Sequence, residues 1–126
     1  MNLISLGLDL VEVPRIQAML EKSGDRFKER VFTSDEISYC DFCAAPAIHY
    51  AARFAAKEAV AKALGTGLSE GVTWRDIEVR RDAKGLPSIV LRDGALRKAT
   101  ELGIREMRVS LTHTAQMAAA SVAGVG

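Results

Sequence analysis

The 126 residues carry 17 Lys and Arg against 16 Asp and Glu, a net charge of +1, with 48% hydrophobic and 26% charged residues. That length predicts a single domain spanning residues 1–126 with a real hydrophobic core, and near-neutrality argues against a nucleic-acid binder. No apolar run approaches the roughly 20 residues that span a bilayer, and the first residues lack a basic segment and soon meet Asp9 and Glu12, so no signal peptide, no membrane and a cytoplasmic location are expected.

Leu3 to Val11 alternates as a strand, with Asp9 on the face opposite Leu6, Leu8 and Leu10. Pro14 suits the first turn of a helix that is expected to stop near Gly24. Arg26, Phe27, Lys28, Arg30, Val31 and Phe32 form a short basic segment flanked by aromatics, and Thr33 or Ser34 caps the next helix, with Asp35 and Glu36 in its first turn. Cys40 and Cys43 form a Cys-x-x-Cys pair. Four zinc ligands would have to include His49 and His113, and a redox pair belongs after a strand, so two reduced thiols is the favoured reading.

Pro46 opens a long alanine-rich helix that Gly65 ends. At about 100° per residue, Ala51, Ala55, Glu58 and Lys62 share one face of it. The plain reading of Glu58 and Lys62 is an exposed i,i+4 pair; the sharper one is a metal ligand beside a phosphate-binding cation. The glycines from Gly65 to Gly71 follow a helix rather than a strand, which rejects a dinucleotide fingerprint. Trp74 to Arg81 and Ser88 to Leu91 read as a hairpin around the turn from Asp82 to Pro87. A helix from Asp93 or Gly94 to near Gly103 follows, then strands over Arg108 to Thr112 and Met117 to Val122, with His113 on the turn between them. Two strand pairs with helices mostly grouped between them give an α+β class.

Four segments occur in one order: Gly7-Leu8-Asp9-Leu10-Val11-Glu12, Arg53 through Gly67, Asp82-Ala83-Lys84-Gly85-Leu86-Pro87, and Val109-Ser110-Leu111-Thr112-His113-Thr114. Over nearly the whole chain they resemble the small bacterial holo-acyl-carrier-protein synthases of the 4′-phosphopantetheinyl transferase group. The resemblance implies that fold, with the alanine-rich helix packed on a small, mostly antiparallel sheet. It also implies transfer of the phosphopantetheine arm of coenzyme A to a serine of acyl carrier protein, for fatty acid biosynthesis, with adenosine 3′,5′-bisphosphate as the other product.

By the same resemblance, Asp9 and Glu58 hold Mg²⁺, a hard cation that takes one or two carboxylates plus substrate phosphates. Lys62 meets the diphosphate, and Glu58 accepts the serine proton, directly or through water. Arg53, Gly65, Lys84, Gly85, Pro87, His113 and Thr114 contact coenzyme A, with Leu86 standing where the family often has lysine. Arg15, Met19, Arg26, Phe27, Arg30 and Phe54 form the docking surface for the acidic carrier; without a partner they read as a basic face over two core aromatics. A homotrimer is the family's usual assembly. The alternatives are a non-catalytic coenzyme A or nucleotide-binding regulatory module, which the joint presence of Asp9, Glu58 and Lys62 disfavours, and a zinc-stabilised interaction domain on Cys40 and Cys43.

Overall fold

The long helix is the centre of the molecule, as the computed structural model, which describes residues 1–126, makes plain. Strand β1 (Leu3–Glu12) runs directly into helix α1 (Val13–Val31), followed by α2 (Ser34–Phe42) and α3 (Pro46–Leu64). A single 3-10 turn, Trp74–Asp76, precedes a hairpin of β2 (Ile77–Arg81) and β3 (Pro87–Leu91). Helix α4 (Asp93–Glu101) and strands β4 (Glu106–His113) and β5 (Met117–Val125) complete the chain.

The α+β class holds, but the expected two strand pairs become a three-stranded antiparallel sheet in the order β1-β5-β4 plus the separate β2-β3 hairpin. Strand β5 pairs on both sides, and since its side chains stand above and below the sheet, its small residues leave room for a helix on one face rather than for the neighbouring strands. In that register Gly7 sits opposite Val122 and Asp9 opposite Ala120.

Helix α3 starts at Pro46, whose missing N–H costs nothing in a first turn. It ends at Gly65, which takes the left-handed conformation (φ 77°) and donates its N–H to Ala61 and Lys62 carbonyls. Its alanines Ala51, Ala55, Ala56, Ala59 and Ala63 are buried, as are Ala118, Ala120 and Val122 of β5. Contact is closest at Gly7, where a Cβ would stand 1.8 Å from the Ala59 carbonyl oxygen. Strand backbone therefore rests on helix backbone, a fit only glycine permits here.

The β1 alternation is real, yet its leucines face outward. Leu6, Leu8 and Leu10 are 66%, 67% and 63% exposed, whereas Gly7 and Val11 are buried and Asp9 is half-buried. Helix α3 takes the face with the smaller residues because only that face allows its close approach.

Two expected boundaries shift. Gly24 kinks α1 (φ 37°, ψ −115°) rather than ending it, because Phe27 and Val31, one turn apart and both buried, anchor a second helical segment. Trp74 begins a 3-10 turn instead of a strand, since the Asp76 carboxylate accepts the Thr73 amide while the Asp76 amide donates back to the Thr73 carbonyl.

A buried ion pair ties the helices to the hairpin. Lys57 Nζ lies 2.7 Å from Glu36 Oε1, both side chains fully buried. The ammonium also donates to the Trp74 and Ile77 carbonyls, and Glu36 accepts from the Thr33 and Val79 amides.

Candidate active site

Asp9 comes from β1, and Glu58 and Lys62 from the face of α3 that packs on it. Lys62 Nζ donates to Asp9 Oδ1 and to the Leu8 carbonyl, both at 3.0 Å. Asp9 is largely sheltered, with its side chain 15% exposed, while Lys62 is about half exposed at 53%. Glu58 is half-buried. Burial and then the Asp9 charge push its carboxyl above the usual range, outweighing the Lys62 and Arg15 cations. So two carboxylates close enough to repel, and one half-exposed amine, meet where β1 and α3 adjoin.

Such a pair has an appetite for a cation beyond what Lys62 supplies. No three His, Cys, Asp or Glu side chains converge anywhere in the chain, so a closed, all-protein metal cage is not built. Two carboxylates at a solvent-facing rim instead suit a hard ion that completes its shell with water and phosphate oxygens.

A second cluster occupies the N-terminal half of α3. Arg53 is 1% exposed, its guanidinium stacks 4.1 Å from the Tyr39 ring centroid, and its Nε and Nη1 have no hydrogen-bond partner. It lines a cavity of about 210 Å³ with Asp35, Tyr39, Arg80 and Arg81. The Tyr39 ring meets His49 edge-on at 5.9 Å, and His49 meets His113 at 6.2 Å. Burial, then Arg53, His113 and Arg81, hold the His49 imidazole below its usual range.

His113 belongs to the end of β4 rather than to the turn, and with Thr112, Thr114, Leu10 and Met117 it lines another hollow of about 210 Å³. Thr114 shapes the turn by accepting the Gln116 and Met117 amides. The hairpin turn is linked to the cluster: Arg81 donates to the Gly85 carbonyl, and Asp82 holds the turn by accepting the Lys84 and Leu86 amides. Pro87 opens β3, Leu86 points to solvent, and Gly65 closes α3 one turn beyond Lys62. Sequence reasoning missed Tyr39, His49 and Arg81. The i,i+4 spacing of His49 and Arg53 was the available signal, whereas nothing local pointed to Arg81.

On α1, Arg15, Arg26 and Arg30 are exposed and Met19 half-buried. Phe27 and Phe54 are each only 5% exposed, which corrects their expected place as docking anchors. They stack with each other at 6.3 Å, and Phe54 stacks on Trp74 at 4.8 Å, so packing takes both rings inward. Arg15 lies over the Phe54 ring at 5.4 Å, next to Glu58, so the basic face adjoins the carboxylate pair.

Cys40 is buried, and burial pushes its thiol up to about 12. Cys43 donates to the Tyr39 carbonyl. Held protonated by burial, the Cys40 thiol is no nucleophile at neutral pH. A larger polar hollow of about 390 Å³ opens at the start of α2, but none of Asp9, Glu58 or Lys62 lines it, and its Glu78 is paired with Arg92.

Residues 5–119 match the sequence profile of the 4′-phosphopantetheinyl transferase superfamily. A holo-[acyl-carrier-protein] synthase of Koribacter versatilis is 48% identical over 120 residues, covering 95% of this chain and 96% of that one. The crystal structure of the Neisseria meningitidis holo-[acyl-carrier-protein] synthase superposes with a TM-score of 0.89 at 33% identity, covering 99% of this chain and 100% of the other. The Helicobacter pylori enzyme, solved in complex with coenzyme A, gives 0.84 at 29% identity, with 95% and 99% covered.

Proposed function

The chain belongs to the 4′-phosphopantetheinyl transferase superfamily, and we propose from that premise that it moves 4′-phosphopantetheine from coenzyme A to a serine of apo acyl carrier protein. The products are holo carrier and adenosine 3′,5′-bisphosphate. The observation that carries the reading is the meeting of Asp9, Glu58 and Lys62 on one strand–helix seam, in a chain similar throughout to holo-acyl-carrier-protein synthases.

Asp9 and Glu58 are the residues that would hold Mg²⁺, which when bound supplies positive charge to the coenzyme A diphosphate. Lys62 exchanges its Asp9 contact for a phosphate oxygen and neutralises charge growing on the leaving group. Glu58, half-buried beside Asp9 and Lys62, is the residue placed to accept the serine proton, directly or through water. The serine oxygen bonds to the phosphorus carrying the pantetheine arm, and that phosphorus releases the adenosine bisphosphate oxygen. Arg53, His113, Thr114, Gly65 and the turn of Lys84, Gly85 and Pro87 hold the nucleotide.

Carrier docking falls to Arg15, Met19, Arg26 and Arg30, whose charge suits an acidic partner and speeds encounter. Self-association, for which the family's homotrimer is the proposed form, is supported by the outward stripe of Leu6, Leu8 and Leu10 on an edge strand, apolar surface that a monomer would leave wet. No helix is long and apolar enough to cross a membrane; the proposed setting is the cytoplasm.

The test is to incubate the protein with coenzyme A, Mg²⁺ and an apo acyl carrier protein and weigh the carrier. A gain of one phosphopantetheine is expected, lost without Mg²⁺. An unmodified carrier across a panel of bacterial carriers overturns the reading.

A further inference from the structure

The second cluster on α3 has an electrostatic problem that the first does not. Arg53 is buried with Nε and Nη1 unpartnered, and Arg81 Nε is unpartnered too. A buried guanidinium without an acceptor is costly, and the cost is relieved by an anion. The groups facing His49 are Tyr39 from α2, Arg53 from α3, Arg81 from β2 and His113 from β4. None of these is a carboxylate; Asp35 lines the adjoining Arg53 cavity, but the charges that act on His49 come from Arg53, His113 and Arg81 and all oppose an imidazolium.

We propose that His49 is a ligand-binding residue, joining Arg53, Arg81 and His113 around a phosphomonoester, and that it takes up a proton from solvent as the ligand binds. This rests on the coenzyme A reading above, and it concerns the phosphate that is not transferred. Along the helix axis Arg53 stands about 7.5 Å from Glu58, so the cluster is set apart from the carboxylate pair, where the diphosphate is engaged. A phosphate on the ribose is the remaining anion of coenzyme A. It differs from the diphosphate in being a monoester, whose second ionisation falls near pH 6, so its dianion is present when the imidazole needs a counter-charge. The free-state depression of His49 by burial, Arg53, His113 and Arg81 is then what makes the site discriminate. Without a dianion the histidine stays neutral; with one, three cationic groups and His113 surround it.

The chain has only two histidines, so imidazole NMR resolves each, with His49→Gln assigning the signals. The titration is run from pH 5 to 8 on the wild type, free and saturated with adenosine 3′,5′-bisphosphate. The His49 midpoint is expected to rise by about one pH unit or more on binding, the usual effect of an adjacent opposite charge. In parallel, His49→Gln should weaken adenosine 3′,5′-bisphosphate about tenfold at pH 6, as loss of a charge-assisted hydrogen bond does, and have little effect at pH 8. Binding of 5′-AMP, which lacks the second phosphate, should not change.

A His49 midpoint that stays or falls overturns the proposal, as does equal weakening of both nucleotides. If the wild type binds the bisphosphate with no His49 response, this assignment alone fails. If it binds neither the bisphosphate nor coenzyme A, the functional reading fails with it.

Discussion

Lys62 Nζ spans the seam between α3 and β1 to rest 3.0 Å from Asp9 Oδ1. The contact lies at the protein surface and joins groups 53 positions apart in sequence. It keeps an amine parked on a carboxylate that a metal ion is proposed to need, so Lys62 has to leave Asp9 as ligands arrive.

Lys62→Ala is therefore expected to separate stability from rate. An exposed pair of this kind contributes about 0–1 kcal/mol, so urea unfolding should barely change. Turnover should fall about 100-fold or more, the cost of removing one group that stabilises transition-state charge. Single-turnover transfer to carrier protein, read by mass spectrometry, measures it. A Lys62→Ala enzyme of near-normal rate would remove Lys62 from the chemistry.

Glu58→Gln should abolish transfer and yet leave the ligand-free protein as stable as before, or more so. The sign follows from the raised carboxyl: a group that binds its proton more tightly folded than unfolded favours the fold in acid and opposes it once ionised. At pH 7 the amide removes that opposition. Thermal melts of the two proteins without metal, at pH 5 and pH 7, check it; the variant's advantage should be larger at pH 7.

The split between legible and illegible residues has a physical basis. Pro46, Gly65 and the cap at Thr33 act within a few residues, so the helices they bound were readable from the sequence. Gly24 was not, because whether a helix resumes beyond it depends on Phe27 and Val31 finding a core. The outward turn of Leu6, Leu8 and Leu10 was equally hidden: alternation shows that a strand has two faces, and only the partner helix decides which one is buried. Asp9, Glu58, Lys62 and His113 came through the resemblance of ordered segments. His49 and Arg81 lie outside what that resemblance supplied, and their meeting depends on how the hairpin folds back.

Lys57→Ala should cost about 3–5 kcal/mol, the range for stranding one member of a buried ion pair. Glu36 would be left fully buried without its cation, and the Trp74 and Ile77 carbonyls would lose their donor. Denaturant unfolding measures the loss. A cost below 1 kcal/mol would mean that the hairpin is held by packing alone.

Glu78 should govern acid stability. Burial pushes its carboxyl up, but hydrogen bonds from Thr33, Arg92 and Arg80 outweigh burial and bring it down to about 2. A depressed carboxyl stabilises the fold above its unfolded value, roughly 4.3, and loses that contribution as pH falls through the folded value. Unfolding free energy should therefore drop between pH 5 and pH 2, with a shallower slope in Glu78→Gln.

Leu8→Glu should break the proposed trimer. The side chain is 67% exposed on an edge strand, so the change costs an isolated subunit little and places charge in any interface built on that stripe. Light scattering is expected to show a trimer for the wild type and monomer for the variant, with transfer activity reduced. An unchanged mass would place the interface elsewhere.

Gly7 and Ala59 touch through main-chain atoms, and main-chain contacts have almost no give. The separation of the Asp9 and Glu58 attachment points is thereby fixed by the skeleton, with no flexible side chain in the joint to adjust it. Accommodation of an incoming ion is then left to the rotamers of the two carboxylate side chains, with the distance between their backbones held constant. Any side chain at residue 7 would have to push α3 off β1, so the two carboxylates could move apart only together with the central contact of the fold.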